Sequence, residues 1–182
     1  MENRLVIRFS APINQNSVSQ LISVVENNLH SGVEVIKLLI SSPGGEVQHG
    51  VSAYNFLKGI PAKIQTHNFG NIDSMATVIY CAGGERLCMP TARFLIHGVK
   101  FGSNGPVQFE EKQLDEVVMG LKNDRENIAK ILSENCNKPQ SQIEKMMFEG
   151  ATLTPTAAKE LGLVHKISEQ LIEEDEKIIG IG

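Results

Sequence analysis

The hydrophobic pattern of this chain switches repeatedly between a period of two, which a strand supports, and a period of about 3.6, which a helix supports. Residues 4–9, Arg-Leu-Val-Ile-Arg-Phe, are rich in β-branched and aromatic side chains and predict a first strand. Pro12 and the run Asn14-Gln15-Asn16-Ser17 break it. Val18, Leu21, Ile22, Val25 and Leu29 then recur at helical spacing up to a stop at Gly32. Residues 33–40 predict a second strand. Its end, Leu38-Leu39-Ile40, is continuously apolar, as a parallel strand covered on both faces should be. These elements already make a βαβ unit.

The loop Ser41-Ser42-Pro43-Gly44-Gly45 follows, and Val47, Val51, Tyr54 and Leu57 mark the next helix face, closed by Gly59 and Pro61. Residues 62–69 predict a third strand, Gly70 a turn, and residues 74–82 a short buried helix ending at Gly83-Gly84. Short strands are expected over 86–89 and 92–97, separated by Pro90. Such alternation argues for an α/β fold with a mainly parallel sheet.

The second half is mostly helical. After a loop at 102–106, residues from about 107 to 133 form one long pattern, with Leu114, Val117, Val118, Leu121, Ile128, Ile131 and Leu132 on one face. At ~1.5 Å per residue that helix is roughly 40 Å long, more than a compact domain needs, so it is expected to project and meet another subunit. A further helix is expected over 139–148. Thr154-Pro155 starts another that runs through Ala157, Ala158 and Leu161 to Gly162. Residues 163–167 predict a last short strand, and the acidic, glycine-ended segment 168–182 is expected to be loosely held. With no internal repeat or interdomain linker, residues 1–182 read as a single domain.

Composition narrows the function classes. Hydrophobic residues make up 41% and charged residues 21%, ordinary for a soluble globular protein. A net charge of -4 leaves no basic surplus for nucleic acid. No apolar run reaches the ~20 residues of a membrane span, and the first residues lack the pattern of a signal peptide, so a cytoplasmic protein is expected. Cys81, Cys88 and Cys136 form no C-x-x-C pair, which argues for structural thiols and against zinc.

The candidate chemistry lies between Gly70 and Gly98. Ser74 falls where a strand gives way to a helix, and His97 closes a later strand. A serine and a histidine so placed are the minimum for a nucleophile with a general base. The N–H of Met75 at the helix start is a candidate oxyanion donor. The glycine loop offers a second, the N–H of Gly44, because its glycines let another backbone approach closely. Each feature has a plainer reading: Ser74 as a helix cap, His97 as a structural histidine, the loop as a phosphate cradle. The last lacks both G-x-G-x-x-G and G-x-x-x-x-G-K-[ST]. His30, His49, His67 and His165 are scattered without metal-ligand spacing.

In this order, Ser-Pro-Gly-Gly (42–45), Gly-Asn-Ile-Asp-Ser-Met-Ala (70–76) and Pro-Thr-Ala-Arg-Phe-Leu-Ile-His (90–97) resemble the proteolytic subunit of the Clp protease, a serine peptidase of the crotonase-like superfamily. The resemblance runs from about Val6 to Ile167. It includes Ala-Gly-Gly-Glu-Arg-Leu-Cys-Met-Pro (82–90) and Thr-Pro-Thr-Ala-Ala-Lys-Glu-Leu-Gly-Leu-Val (154–164). It implies a crotonase-like fold of repeated β-β-α units with the long helix as a projecting handle. It also implies Ser74 as nucleophile, His97 as base, Gly44 and Met75 as oxyanion donors, and no cofactor or metal. Peptide substrate would lie extended beside the handle, inside a homo-oligomer of stacked rings, usually of seven subunits.

Three departures from the family stand out. Its triad aspartate aligns with Gly150, so the preceding Glu149 becomes the candidate third member, with a backbone carbonyl, a water or another acid as alternatives. Asp73 stands where the family usually has a small residue, and its side chain is expected to point away from the site. The chain also starts almost at its first strand, without the family's N-terminal segment, which weakens the expectation of an ATPase partner and suggests a divergent or short form. The leading expectation is a serine endopeptidase acting on unfolded chains or short peptides. The alternatives are a catalytically weak or inactive subunit with an assembly role, and a crotonase-type acyl-CoA hydratase or lyase.

Overall fold

The computed structural model describes residues 3–102, 105, 107–174 and 176–182, so part of the predicted 102–106 loop (Ser103, Asn104 and Pro106) lies outside the described residues. The first strand, β1 (Arg4–Phe9), pairs in parallel with β2 (Val35–Ser42), from Arg4 opposite Val35 to Phe9 opposite Ile40. Between them runs α1 (Gln15–Leu29). Its start is fixed by a capping box: Asn14 Oδ1 accepts from Ser17 N at 3.0 Å and Ser17 Oγ accepts from Asn14 N at 3.2 Å. Val18, Leu21 and Val25 of α1 are buried against the sheet. The helix α2 (Val47–Gly59) leads to β3 (Lys63–Asp73), which pairs in parallel with β2.

Next come α3 (Ala76–Tyr80), β4 (Glu85–Cys88) and β5 (Arg93–Ile96). The long α4 (Glu111–Cys136) and α5 (Gln140–Glu149) follow. Then come β6 (Ala151–Leu153), α6 (Pro155–Leu161), β7 (Lys166–Ile167) and β8 (Ile178–Ile181). Among the described residues the eight strands form one sheet in the order β6-β5-β3-β2-β1-β8, with β4 joining β3 to β7. Only β5–β6 is antiparallel, so the predicted α/β class with a mainly parallel sheet is observed.

Two expectations are corrected here. The segment 168–182 is not loose throughout: Ser168 N donates to Cys88 O at 2.9 Å, and β8 pairs in parallel with β1 through Val6 opposite Ile178 to Phe9 opposite Ile181. Its Ile178-Ile179-Gly180-Ile181 is an apolar strand pattern that an acidic run before it obscures. The predicted strand 163–167 is reduced to Lys166–Ile167, because Leu163 N instead closes α6 on Ala158 O at 2.9 Å past a left-handed Gly162. The antiparallel β6, which no period-two run announces in three residues, is an addition.

The returning segment explains a buried histidine. His67 on β3 is fully buried; its Nε2 donates to Ser168 O at 3.1 Å while Nδ1 has no partner. Burial holds its pKa below the ordinary 6.5. The unfolded chain therefore binds the proton more readily, so the stabilisation is complete above about pH 6.5 and is lost as pH falls toward the lowered folded value. Urea midpoints should drop between pH 7.5 and 5.5, and His67→Phe should flatten that drop; an equal drop in both proteins would remove His67 as its source.

The handle supports the expected projection in part. Ile128, Ala129, Leu132 and Cys136 at its C-terminal end are buried, whereas Leu114, Val118 and Met119 near its start are exposed. The buried end is anchored by Arg86, whose guanidinium donates to Asn135 O at 2.8 Å, Gly162 O at 3.2 Å and Gly83 O at 3.1 Å, and whose Nε donates to Leu163 O at 2.8 Å. One cation thus satisfies carbonyls at the C-terminal ends of both α4 and α6, where the helix dipoles favour positive charge.

Candidate active site

The site is built where β3 changes partners. Residues Gln65–Asn68 pair with β4, and Asn71–Asp73 pair with β5. Between them the register against β2 shifts, from Ile40 opposite Asn68 to Ser42 opposite Ile72, so β3 carries extra residues here and bends. Gly70 belongs to this bulge. The predicted turn at Gly70 is therefore corrected: the strand runs on to Asp73, and a Cβ at Gly70 would lie 2.7 Å from Ser41 Oγ. Asn68, fully buried, braces the bend. Its Oδ1 accepts from Gly70 N at 3.0 Å and its Nδ2 donates to Arg93 O at 2.8 Å. An Asn two residues before a Gly, its side chain accepting from the glycine N–H, is the local signature of this bend.

Ser74 does not belong to the helix either. It is the elbow before it, with φ +56°, a left-handed conformation that a serine adopts only when its surroundings enforce it. They do: Ser74 N donates to Leu95 O at 2.7 Å, and Ser74 O accepts from Thr77 Oγ1 at 2.7 Å and Thr77 N at 3.0 Å. The helix that follows is only Ala76–Tyr80. The glycine loop closes on this elbow. A Cβ at Gly44 would lie 2.6 Å from Asp73 O, 2.8 Å from Ser74 Cβ and 3.1 Å from Met75 N. Gly44 and Met75 are thus brought together beside Ser74. The Gly44 amide itself donates to Ser42 Oγ at 3.2 Å, a long bond, and Ser42 Oγ in turn donates to Ala11 O at 2.7 Å.

His97 follows the last residue of β5, the strand hydrogen-bonded to the end of β3. Ser74, Met75 and His97 line one pocket of about 120 Å³, walled by Val47, Ile128 and Leu132. The His97 ring has a defined orientation: Nδ1 lies 2.7 Å from Gly98 O. A carbonyl only accepts, so Nδ1 carries a proton, and in the neutral imidazole Nε2 is the nitrogen with the free lone pair. Glu149 ends α5 with its side chain 59% exposed and Oε1 3.8 Å from Lys145 Nζ. No hydrogen bond or ion pair joins it to His97 among the described residues. Gly150 has φ +76°.

The remaining candidates fall away from the pocket. His49 pairs with Glu46 at 3.2 Å, His165 Nδ1 accepts from Arg86 N at 3.1 Å, and His30 is exposed. The three cysteines are free and buried, and burial pushes their thiols up, Cys81 to about 12 and Cys88 and Cys136 to about 11. They are held protonated, the poor-nucleophile state. Among the described residues no group of three His, Cys, Asp or Glu is placed to hold a metal, and no helix is long and apolar enough to cross a membrane.

The chain is a mainly parallel α/β sheet with a serine on a strained strand-to-helix elbow, a glycine loop packed against it and α4 walling the pocket, a fold of the crotonase-like class. A model of the Clp protease family matches residues 1–171, and the chain belongs to that family. It is 32% identical over 158 residues to "ATP-dependent Clp protease proteolytic subunit 3" of Rhizobium etli, covering 86% of this chain and 79% of that protein. The subunit of the same name from Rhizobium meliloti is 32% identical over 140 residues, 76% of this chain and 70% of that one. A solved structure of a point mutant of ClpP1 from Listeria monocytogenes superposes with a TM-score of 0.81 over 91% of both chains at 22% identity, a likeness of fold.

Proposed function

We propose that the chain is a serine endopeptidase that cleaves unfolded polypeptides or short peptides through an acyl-enzyme. The observation that carries this reading is the elbow: a non-glycine residue held at φ +56° beside a pocket shared with His97 is strain that a mere helix cap does not require. In this reading Ser74 Oγ attacks the scissile carbonyl and His97 Nε2 takes its proton. The oxyanion is received by the N–H groups of Met75 and Gly44, the latter giving up its long bond to Ser42. His97 then protonates the leaving amine, and water releases the acyl group by the same path in reverse. The Gly98 carbonyl orients the imidazole, the role for which Glu149 stood as the nearest carboxylate.

Substrate is placed along the groove that Gly98, Val99, Val118, Leu121, Met147 and Phe148 line between α4 and α5. The exposed apolar residues Leu114, Val118 and Met119 support a handle that interlocks subunits into stacked rings enclosing the sites, in the cytoplasm. A second reading, a subunit with an assembly role only, is favoured by the Gly44 amide being turned to Ser42 and by the lack, among the described residues, of a carboxylate on His97.

A fluorophosphonate decides between them. The expected result is one covalent adduct per chain, mapped by peptide mass to the segment holding Ser74. A folded, assembled protein that acquires no adduct would overturn the peptidase reading in favour of the second.

A further inference from the structure

The acid beside Ser74 plays no part in the proposed reaction. The register Asn71 opposite Arg93 and Asp73 opposite Leu95 puts Asn71, Asp73 and Arg93 on one face of the sheet, opposite buried Ile72 and Phe94. Asp73 Oδ2 accepts from Arg93 Nη2 at 2.9 Å and from Asn71 Nδ2 at 3.0 Å. Asp73 Oδ1 is buried and has no hydrogen-bond partner among the described residues. A half-satisfied buried carboxylate is a poor source of stability, because the unpaired oxygen has lost its water without replacement. Its pairing is better explained by where it holds the two strands than by what it adds to folding.

We propose that Asp73 and Arg93 are positioning residues that lock the end of β3 against β5 and thereby hold Ser74 and His97 at their working separation. The proposal rests on the reading of those two residues as a catalytic dyad. Ser74 follows Asp73 directly, and His97 follows Ile96 at the end of a four-residue strand. Three residue pairs and the Ser74 N to Leu95 O bond at 2.7 Å join β5 to the end of β3, so the backbone ladder alone is a short tether. The charged pair crosses it diagonally, from the last residue of β3 to the first of β5. The demand on that tether is high for two reasons. Ser74 stays left-handed only while its neighbours enforce it. Among the described residues His97 has no carboxylate partner and is oriented by Gly98 O, so the course of the chain at the end of β5 sets where its ring lies. Arg93 neutralises Asp73, so the pair acts through geometry and adds little net charge to the site.

The test is a double-mutant cycle on the first-order rate at which a saturating fluorophosphonate phosphonylates Ser74, the Oγ–P bond forming as fluoride leaves; this covalent step is the acylation surrogate. Asp73→Ala and Arg93→Ala should each slow acylation by about tenfold or more, since a shift on the order of 1 Å can cost about a hundredfold. The reagent concentration giving half-maximal rate should not change, and the double variant should be no slower than the slower single variant. Arg93→Lys, which keeps the charge on a half-exposed side chain, should recover part of the loss. Asp73→Asn, nearly isosteric, repeats the measurement should Asp73→Ala fail to fold. Rates within about twofold of the unaltered protein, or additive losses that follow the melting temperatures, would overturn the proposal. Absence of labelling in the unaltered protein would instead overturn the peptidase reading, and this one with it.

Discussion

Ser74→Ala is expected to lower the rate of peptide hydrolysis by on the order of 10⁴-fold or more, and His97→Ala by a comparable factor. The two losses should not add, because a nucleophile without its base and a base without its nucleophile fail at the same step; the double variant should match the worse single one. The geometry makes the His97 effect strong. Nδ1 is committed to Gly98 O at 2.7 Å, so Nε2 is the nitrogen left to accept the Ser74 proton. The same geometry sets a contrast. Glu149 is paired with Lys145 at the surface, so Glu149→Gln should leave hydrolysis within about twofold of the unaltered rate. A tenfold loss in that variant would restore Glu149 to the site and displace the carbonyl. Single-turnover rates on a fluorogenic peptide, with melting temperatures as a folding control, measure all four variants. Hydrolysis persisting in Ser74→Ala would remove the serine from the chemistry.

The parts of the fold that could be read from the sequence were those in which local pattern and tertiary role agree. The α1 and α6 starts carry capping side chains, β2 is apolar on both faces, and α4 repeats its apolar face over many turns. What could not be read depends on partners distant in the chain. Gly70 looks like a turn residue, yet it sits in a bulge where Ser41, far earlier in the chain, leaves no room for a side chain. Residues 178–181 become a strand only because the edge of β1 is free to receive them. At the site, Ser74, Met75, Gly44 and His97 could be nominated from motif order, and the structure gathers them at one elbow and pocket. A backbone carbonyl could be named as an alternative to Glu149, but not that it is Gly98 O, since a backbone oxygen has no letter in the sequence. Asp73 could be seen, but its bond to Arg93 needs the β3–β5 register.

Gly44→Ala is expected to lower acylation by on the order of 100-fold or more, for reasons that are steric before they are electronic. At φ +85° an alanine is strained wherever there is space, and here there is none: its Cβ would meet Asp73 O at 2.6 Å and Ser74 Cβ at 2.8 Å. Two backbones would have to part. The loop cannot yield easily in the other direction, because Ile13 N is bonded to Gly44 O at 2.8 Å and Glu46 N to Ile13 O at 2.8 Å. A Cβ at the adjoining Gly45 would run into Ile13 O, so the loop is already packed against the chain behind it. The Ser74 side is therefore where movement is expected, and any movement there shifts Met75 N, the other candidate donor, together with the nucleophile. The loss should fall on the acylation rate constant, with the half-saturating reagent concentration little changed, since the pocket walls Ile128 and Leu132 belong to α4 and stay in place. The melting temperature should fall as well, because the clash and the backbone strain are present whether or not substrate is bound. Acylation at the unaltered rate in a folded Gly44→Ala protein would show that the glycine loop does not receive the oxyanion, and would leave Met75 N to act without it.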